Sequence, residues 1–89
     1  MTLEEIFSSK GRVKVLKTII KHGEINLTSI IRETGLNYLS VTNHIKYLRS
    51  HGLIDEIRLG RVKIYRPNWS NPRVRYLEEL IRTLEEAYD

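Results

Sequence analysis

A helix stop and a helix start stand three residues apart near the middle of this chain, and few folds accept that. Leu27, Ile30 and Ile31 recur at helical spacing and run into Thr34-Gly35, with glycine where a helix ends. Asn37 then supplies an N-cap for a second helical run over about residues 38–51. Gly52 closes that run, and Leu53 is placed for the apolar contact of a Schellman motif. Two helices joined by a Gly-Leu-Asn turn make a helix-turn-helix.

The flanking segments extend this unit. Thr2-Leu3-Glu4-Glu5 has the form of a capping box, and it predicts a short helix through Ser8 that presents Leu3, Ile6 and Phe7. Ser8-Ser9-Lys10-Gly11 should stop it. Val13, Leu16, Ile19 and Ile20 predict a second helix, ending at His22-Gly23. Glu24-Ile25-Asn26 leaves room for only a stub of strand before Asn26 caps the next helix.

After Leu53 the period changes from helical to alternating. Ile57 and Leu59 alternate with polar residues, Gly60-Arg61 interrupts, and Val62 and Ile64 resume the pattern. A two-residue II′ turn at Gly60-Arg61 would pair Leu59 with Val62 and Ile57 with Ile64. Those four apolar side chains then share one face, and Glu56, Arg58, Lys63 and Tyr65 share the other. Pro67, without an N–H, ends the pairing. Asn71-Pro72 opens a last helix, an N-cap with proline at N1. Its apolar residues Val74, Leu77, Ile81, Leu84 and Tyr88 fall at spacings of 3, 4, 3 and 4, and Leu80 widens the seam.

The expected fold class is mainly α with a small β-hairpin. It is a winged helix-turn-helix with an added N-terminal helix (2–8), a core over 10–66 and a C-terminal dimerisation helix (71–89), all within one domain spanning 1–89. A globule of 89 residues buries only about 60–65% of its unfolded surface, so its core is thin. The last helix could pack back on its own domain or form a seam with a second copy; a surplus apolar stripe on such a domain favours the homodimer, with Leu3, Ile6, Phe7, Val74, Leu77, Ile81 and Leu84 as interface residues. Tyr76 and Tyr88 would sit at its rim.

The chain has no cysteine, which removes a disulfide framework and thiolate metal sites and points to a reducing compartment. No apolar run approaches the roughly 18 residues of a membrane span, and no signal segment opens the chain. A cytoplasmic, nucleoid-associated location without a membrane partner follows as the expectation. No nucleophile–base pair, phosphate-binding glycine loop or set of convergent carboxylates is evident, so enzyme activity is not expected.

The net charge of +4 says less than its distribution. Residues 1–9 hold two acids and no base; residues 10–66 hold twelve bases and four acids, or +8; residues 67–89 return to −2. The helix-turn-helix and hairpin carry the positive charge, which suits a polyanion.

Within the run 38–51, Val41, Ile45 and Leu48 fall within about 60° of one another at 100° per residue, a stripe that faces a core. Leu39, Asn43, Lys46 and Ser50 point away, with Ser40 and Thr42 on the flanks and Tyr38 at the start. A cation, an amide and hydroxyls near a helix N-terminus suit phosphate contact and base-edge reading in a major groove. Asn43 matches adenine, and Lys46 matches guanine or a phosphate. The plainer alternative is a solvated helix face. Arg58, Arg61 and Lys63 cluster at the hairpin tip, where they would reach a minor groove or the flanking backbone, or simply guard a strand edge. Lys10 and Arg12 are candidates for backbone contact, while Lys14, Lys17 and Lys21 decorate a solvated face.

His22, His44 and His51 lack tight ligand spacing, so no metal site and no cofactor is expected. His44, at the edge of the core stripe, reads as a packed core histidine.

Residues 35–54, Gly-Leu-Asn-Tyr-Leu-Ser-Val-Thr-Asn-His-Ile-Lys-Tyr-Leu-Arg-Ser-His-Gly-Leu-Ile, resemble the helix-turn-helix of ArsR-like winged-helix transcriptional regulators. Gly11-Arg12-Val13-Lys14-Val15-Leu16 is similar to the family's helix before it, and Leu59-Gly60-Arg61-Val62-Lys63-Ile64-Tyr65 to its wing. The resemblance implies a dimer joined by the first and last helices. It also implies duplex DNA as the partner. The metal-sensing members carry cysteines in the helix before the turn; Leu27-Thr28-Ser29-Ile30-Ile31 has none, so thiolate-based sensing is excluded.

The expected function is a homodimeric, sequence-specific regulator of transcription, acting as a repressor and binding double-stranded DNA with helix 38–51 and wing 57–64. An architectural protein that coats DNA, or a winged helix used as a protein-interaction module, are the alternatives. No motif identifies a small-molecule effector.

Overall fold

A computed structural model describes residues 2–86, apart from the side chains of Leu3 and Glu86. The helices are α1 (Leu3–Phe7), α2 (Lys10–His22), α3 (Leu27–Thr34), α4 (Tyr38–Ser50) and α5 (Pro72–Glu86). The strands are β1 (Ile25–Asn26), β2 (Ile54–Leu59) and β3 (Val62–Pro67). The fold is a winged helix: mostly helical, with a small antiparallel sheet in the order β1-β3-β2.

Local chemistry sets the helix ends. Thr2 and Glu5 form the capping box of α1. Asn26 Oδ1 accepts from Ser29 N–H at 2.8 Å, and Asn37 Oδ1 accepts from Ser40 N–H at 2.8 Å. Gly35 takes φ 71° at the end of α3, the left-handed conformation glycine adopts without strain. Leu53 N–H donates to the Leu48 carbonyl and Gly52 N–H to that of Arg49, each at 3.0 Å, which completes the Schellman motif after α4.

The hairpin has the expected register, with Leu59 opposite Val62 and Ile57 opposite Ile64. Gly60 alone of the two turn residues has positive φ, at 62°. Two-residue β1 adds a third strand through Ile25 opposite Tyr65.

The core is centred on α2, which packs against α1, α3, α4, α5 and β3. Its buried face differs from the expected one. Val15, Leu16 and Ile19 are buried, while Val13 is half-buried. The stretch Ser8-Ser9-Lys10-Gly11 stops α1, at Ser8, but Ser9 already caps α2 and Gly11 lies within the first turn of α2. A Cβ added there would sit 2.8 Å from His44 Nε2 and 3.4 Å from Leu36 Cδ1. The glycine thus serves the close approach of α2 to α4. Among the described residues, no helix is long and apolar enough to cross a membrane.

Candidate nucleic-acid interface

Helix α4 is anchored on one side and open on the other. Val41, Ile45 and Leu48 are buried, and the face that turns away carries Leu39, Asn43, Lys46 and Ser50, all exposed. Tyr38 at its start is also exposed, and Ser40 and Thr42 are half-buried on the flanks. The Thr42 hydroxyl donates to the Tyr38 carbonyl at 3.0 Å and shares the proton with that of Leu39 at 3.1 Å. It is left with its two lone pairs and a methyl to offer.

Two amides hold the other end of α4. Asn68 Nδ2 and Asn71 Nδ2 donate to the Gly52 carbonyl at 3.1 and 3.0 Å, while Asn71 Oδ1 accepts from Arg73 N–H at 3.0 Å. Asn71 was readable as the cap of α5. Its grip on the end of α4, and the role of Asn68, depend on chain separations of 16 and 19 residues and leave no local signal.

In the wing, Arg61 is exposed at the turn and Lys63 half-buried beside it. Arg58 is drawn toward Glu56, with Nε 3.9 Å from Oε2. The same carboxylate accepts from the Tyr65 hydroxyl at 2.7 Å and lies 3.5 Å from Arg49 Nη1. The Tyr65 hydrogen bond, with Arg49, Lys63 and Arg58, holds the Glu56 carboxyl below its usual range against the opposing effect of burial. Burial and this carboxylate raise the Tyr65 phenol well above its ordinary value. The network ties β2, β3 and the C-terminal half of α4 into one unit. It also makes Arg58 less available than Arg61.

The hairpin face predicted to be apolar is half solvent-facing: Leu59 and Val62 are exposed, Ile57 and Ile64 half-buried. The inner face carries Ile54 and Tyr65, both buried, with Glu56 between strand and helix. Residues 58–62 at the tip are all exposed, so alternation does not decide burial there.

Arg12, a candidate for backbone contact, is occupied within the fold. Its guanidinium lies 3.7 Å from the centroid of the Tyr47 ring and donates to the Glu5 carbonyl. Tyr47 in turn lies against His51, ring centroids 4.3 Å apart. His44 packs beside Gly11, and burial, then the charge of Arg12, lower its pKa from 6.5. The unfolded chain therefore takes up this proton more readily than the folded one, so stability is full above about pH 6.5 and falls below it. Urea unfolding at pH 7.5 and 5.5 should show a smaller loss for His44→Gln than for the parent protein; equal losses would exclude His44 as the source.

The expected dimer seam is divided. Ile6, Val74, Leu77 and Ile81 are buried within their own chain, because α1 and α5 fold back on α2. Lys17 Nζ meets Glu85 Oε1 at 2.5 Å across that junction. What remains outward is Phe7, half-buried Leu80 and Leu84, which with Glu4 line a largely apolar groove. The side chain of Leu3, and Tyr88, lie outside the described residues. Tyr76 is exposed on another side of α5, near Trp69. Among the described residues, no group of three or more His, Cys, Asp or Glu side chains could hold a metal ion.

No protein-family model and no curated protein sequence matches the chain. Solved structures do match it. The transcriptional repressor BigR from Xylella fastidiosa superposes with a TM-score of 0.81 at 15% identity, covering 96% of this chain and 82% of that one. The antimony-specific transcriptional repressor AntR gives 0.76 at 24% identity, covering 94% and 75%. A homodimeric winged helix-turn-helix DNA-binding domain from Mycobacterium bovis, described as a possible ArsR-family transcriptional regulator, gives 0.72 at 23% identity, covering 92% and 73%. Each likeness is one of fold.

Proposed function

We propose that this chain belongs with the ArsR-type winged-helix regulators and works as a homodimer that represses transcription by binding specific sites in duplex DNA. The observation that carries the reading is the two-sidedness of α4. Val41, Ile45 and Leu48 hold it to the core, while Asn43 and Lys46 project from its exposed face. A helix so mounted beside a β-hairpin can enter a major groove, with base edges read by Asn43 and Lys46. Tyr38, Leu39, Ser40 and Thr42 line the entry, and Arg61 and Lys63 reach the flanking backbone or minor groove, with Arg58 behind them. The structural neighbours described as repressors and as a DNA-binding homodimer support the same role. A two-fold dimer would space its half-sites by about one helical turn, roughly 34 Å. Function as a non-enzymatic regulator in the cytoplasm accords with this reading.

Footprinting on genomic DNA tests the proposal: discrete protected palindromes support it, and uniform coating points to an architectural protein. Lys46→Ala should weaken binding to a recovered site by about 1–3 kcal/mol, as expected for loss of a base-directed contact. Arg61→Ala should weaken specific and non-specific duplexes alike and lower the slope of log K against log salt by about 0.9. A parent protein that ignores duplex DNA at low salt refutes the reading.

A further inference from the structure

We propose that the cleft between α3 and the wing tip seats a phosphodiester strand of the duplex, with Arg32 supplying a cation to it. The inference rests on the DNA-binding reading and adds the side from which the backbone approaches. Arg32, Arg61 and Lys63 line this cleft with Thr28, Ser29 and Tyr38, and no carboxylate lines it; Glu24 and Glu33 line the adjoining cleft on the far side of Arg32, where Glu33 is paired with His22. The three cations come from α3, the turn and β3, elements far apart in sequence. None of them forms an ion pair among the described residues, whereas Lys17, Arg49, Arg58 and Arg82 each do.

The opposite flank of α4 has a different character. There Lys46, Arg49 and Ser50 share a cleft with Asp55 and Glu56, so positive and negative charges are balanced. A polyanionic strand is attracted to the first flank and gains little from the second. The hydroxyls of Thr28, Ser29 and Tyr38 are of the kind that bond phosphate oxygens. Helix α4 therefore meets DNA with its N-terminal end leading, beside the seated strand, and its C-terminal end stands away from phosphate.

The full chain is titrated with a random-sequence 30-base-pair duplex from 50 to 200 mM salt, for the parent protein, Arg32→Ala and Arg75→Ala. Arg75 is an exposed arginine on α5, and its loss changes the net charge equally. Arg32→Ala should lower the salt slope by about 0.9, so that its affinity falls about 3.5-fold less than the parent's over this range. Arg75→Ala should leave the slope unchanged. An unchanged slope for Arg32→Ala, or equal changes in both variants, overturns the seat while leaving DNA binding standing. Failure of the parent protein to bind at 50 mM salt instead overturns the reading beneath it. Inorganic phosphate is then titrated by NMR at constant ionic strength. Saturable binding that Arg32→Ala abolishes, with no effect of that variant on the DNA slope, would assign the cleft to a small free anion and overturn the proposal.

Discussion

The double substitution Phe7→Glu/Leu84→Glu should leave each chain folded and remove tight binding to a two-half-site DNA. Phe7 is 36% and Leu84 49% exposed, so neither supports the core of its own chain to the extent that Val74 or Leu77 does. Together with Leu80 they form the outward apolar surface of the α1–α5 junction. Joining two such surfaces across a two-fold axis would bring four new carboxylates into an apolar contact, and unpaired charges resist that desolvation. A monomer engages one half-site only. It forgoes the intramolecular second contact, which is worth about 10²–10⁴ in affinity when the geometry permits both. Sedimentation equilibrium should report a monomer, and titration of a footprinted site should show at least a hundred-fold loss. A variant that remains dimeric, or binds as tightly as the parent protein, would place the interface elsewhere.

A second large effect is expected at Leu48. Its side chain is fully buried, at 0% exposure, beneath the C-terminal half of α4. Leu48→Ala should cost about 2–5 kcal/mol, the combined loss of transfer free energy and packing around the cavity. A domain of this size is stabilised by only about 4–13 kcal/mol in total. Each kcal/mol corresponds to about 4–8 °C in Tm, so a fall of roughly 8–40 °C is expected. Leu39→Ala is the matched control. It lies on the same helix but is 67% exposed, and its Tm should change little, within about 0.5 kcal/mol. Calorimetry on the two variants checks the orientation of α4 directly. Equal melting temperatures would mean that α4 is rotated relative to the core.

The contrast between these two leucines was legible in the sequence. Period alone assigned Val41, Ile45 and Leu48 to the core and Leu39, Asn43 and Lys46 to the open face, and the burial pattern follows that division. For the hairpin the same reasoning assigned the register and the two faces but not which face is buried. Its strictly alternating apolar residues Ile57, Leu59, Val62 and Ile64 lie half in solvent, and the buried face carries Tyr65 with a hydrogen-bonded carboxylate. Periodicity identifies the residues that share a face, but only neighbouring elements decide which face is covered. In the last helix the apolar stripe was legible, but not how it divides between its own chain and a second copy. Val74, Leu77 and Ile81 are covered by their own chain, leaving only the edge of the stripe for a second copy.

Charge shows the same limit. The surplus over residues 10–66 is visible in the sequence. Its separation into an acid-free cleft at Arg32, Arg61 and Lys63, and a balanced one at Lys46, Arg49, Asp55 and Glu56, is not. Arg12 counts toward that surplus, yet it lies against Tyr47 inside the fold.

Thr2, Asn26, Asn37 and Asn71 as caps, the glycines after α3 and α4, and the Leu59–Val62 pair at the turn that sets the hairpin register all follow from interactions spanning two to five residues. Such interactions are written in the order of the residues, because the groups they join are adjacent in the chain. The helical site of Gly11, the clamp of Asn68 and Asn71 on Gly52, the pairing of Glu56 with Arg49 and the burial of the α5 stripe join groups brought together only by folding. The energies of those contacts depend on distance in space, which local pattern does not encode.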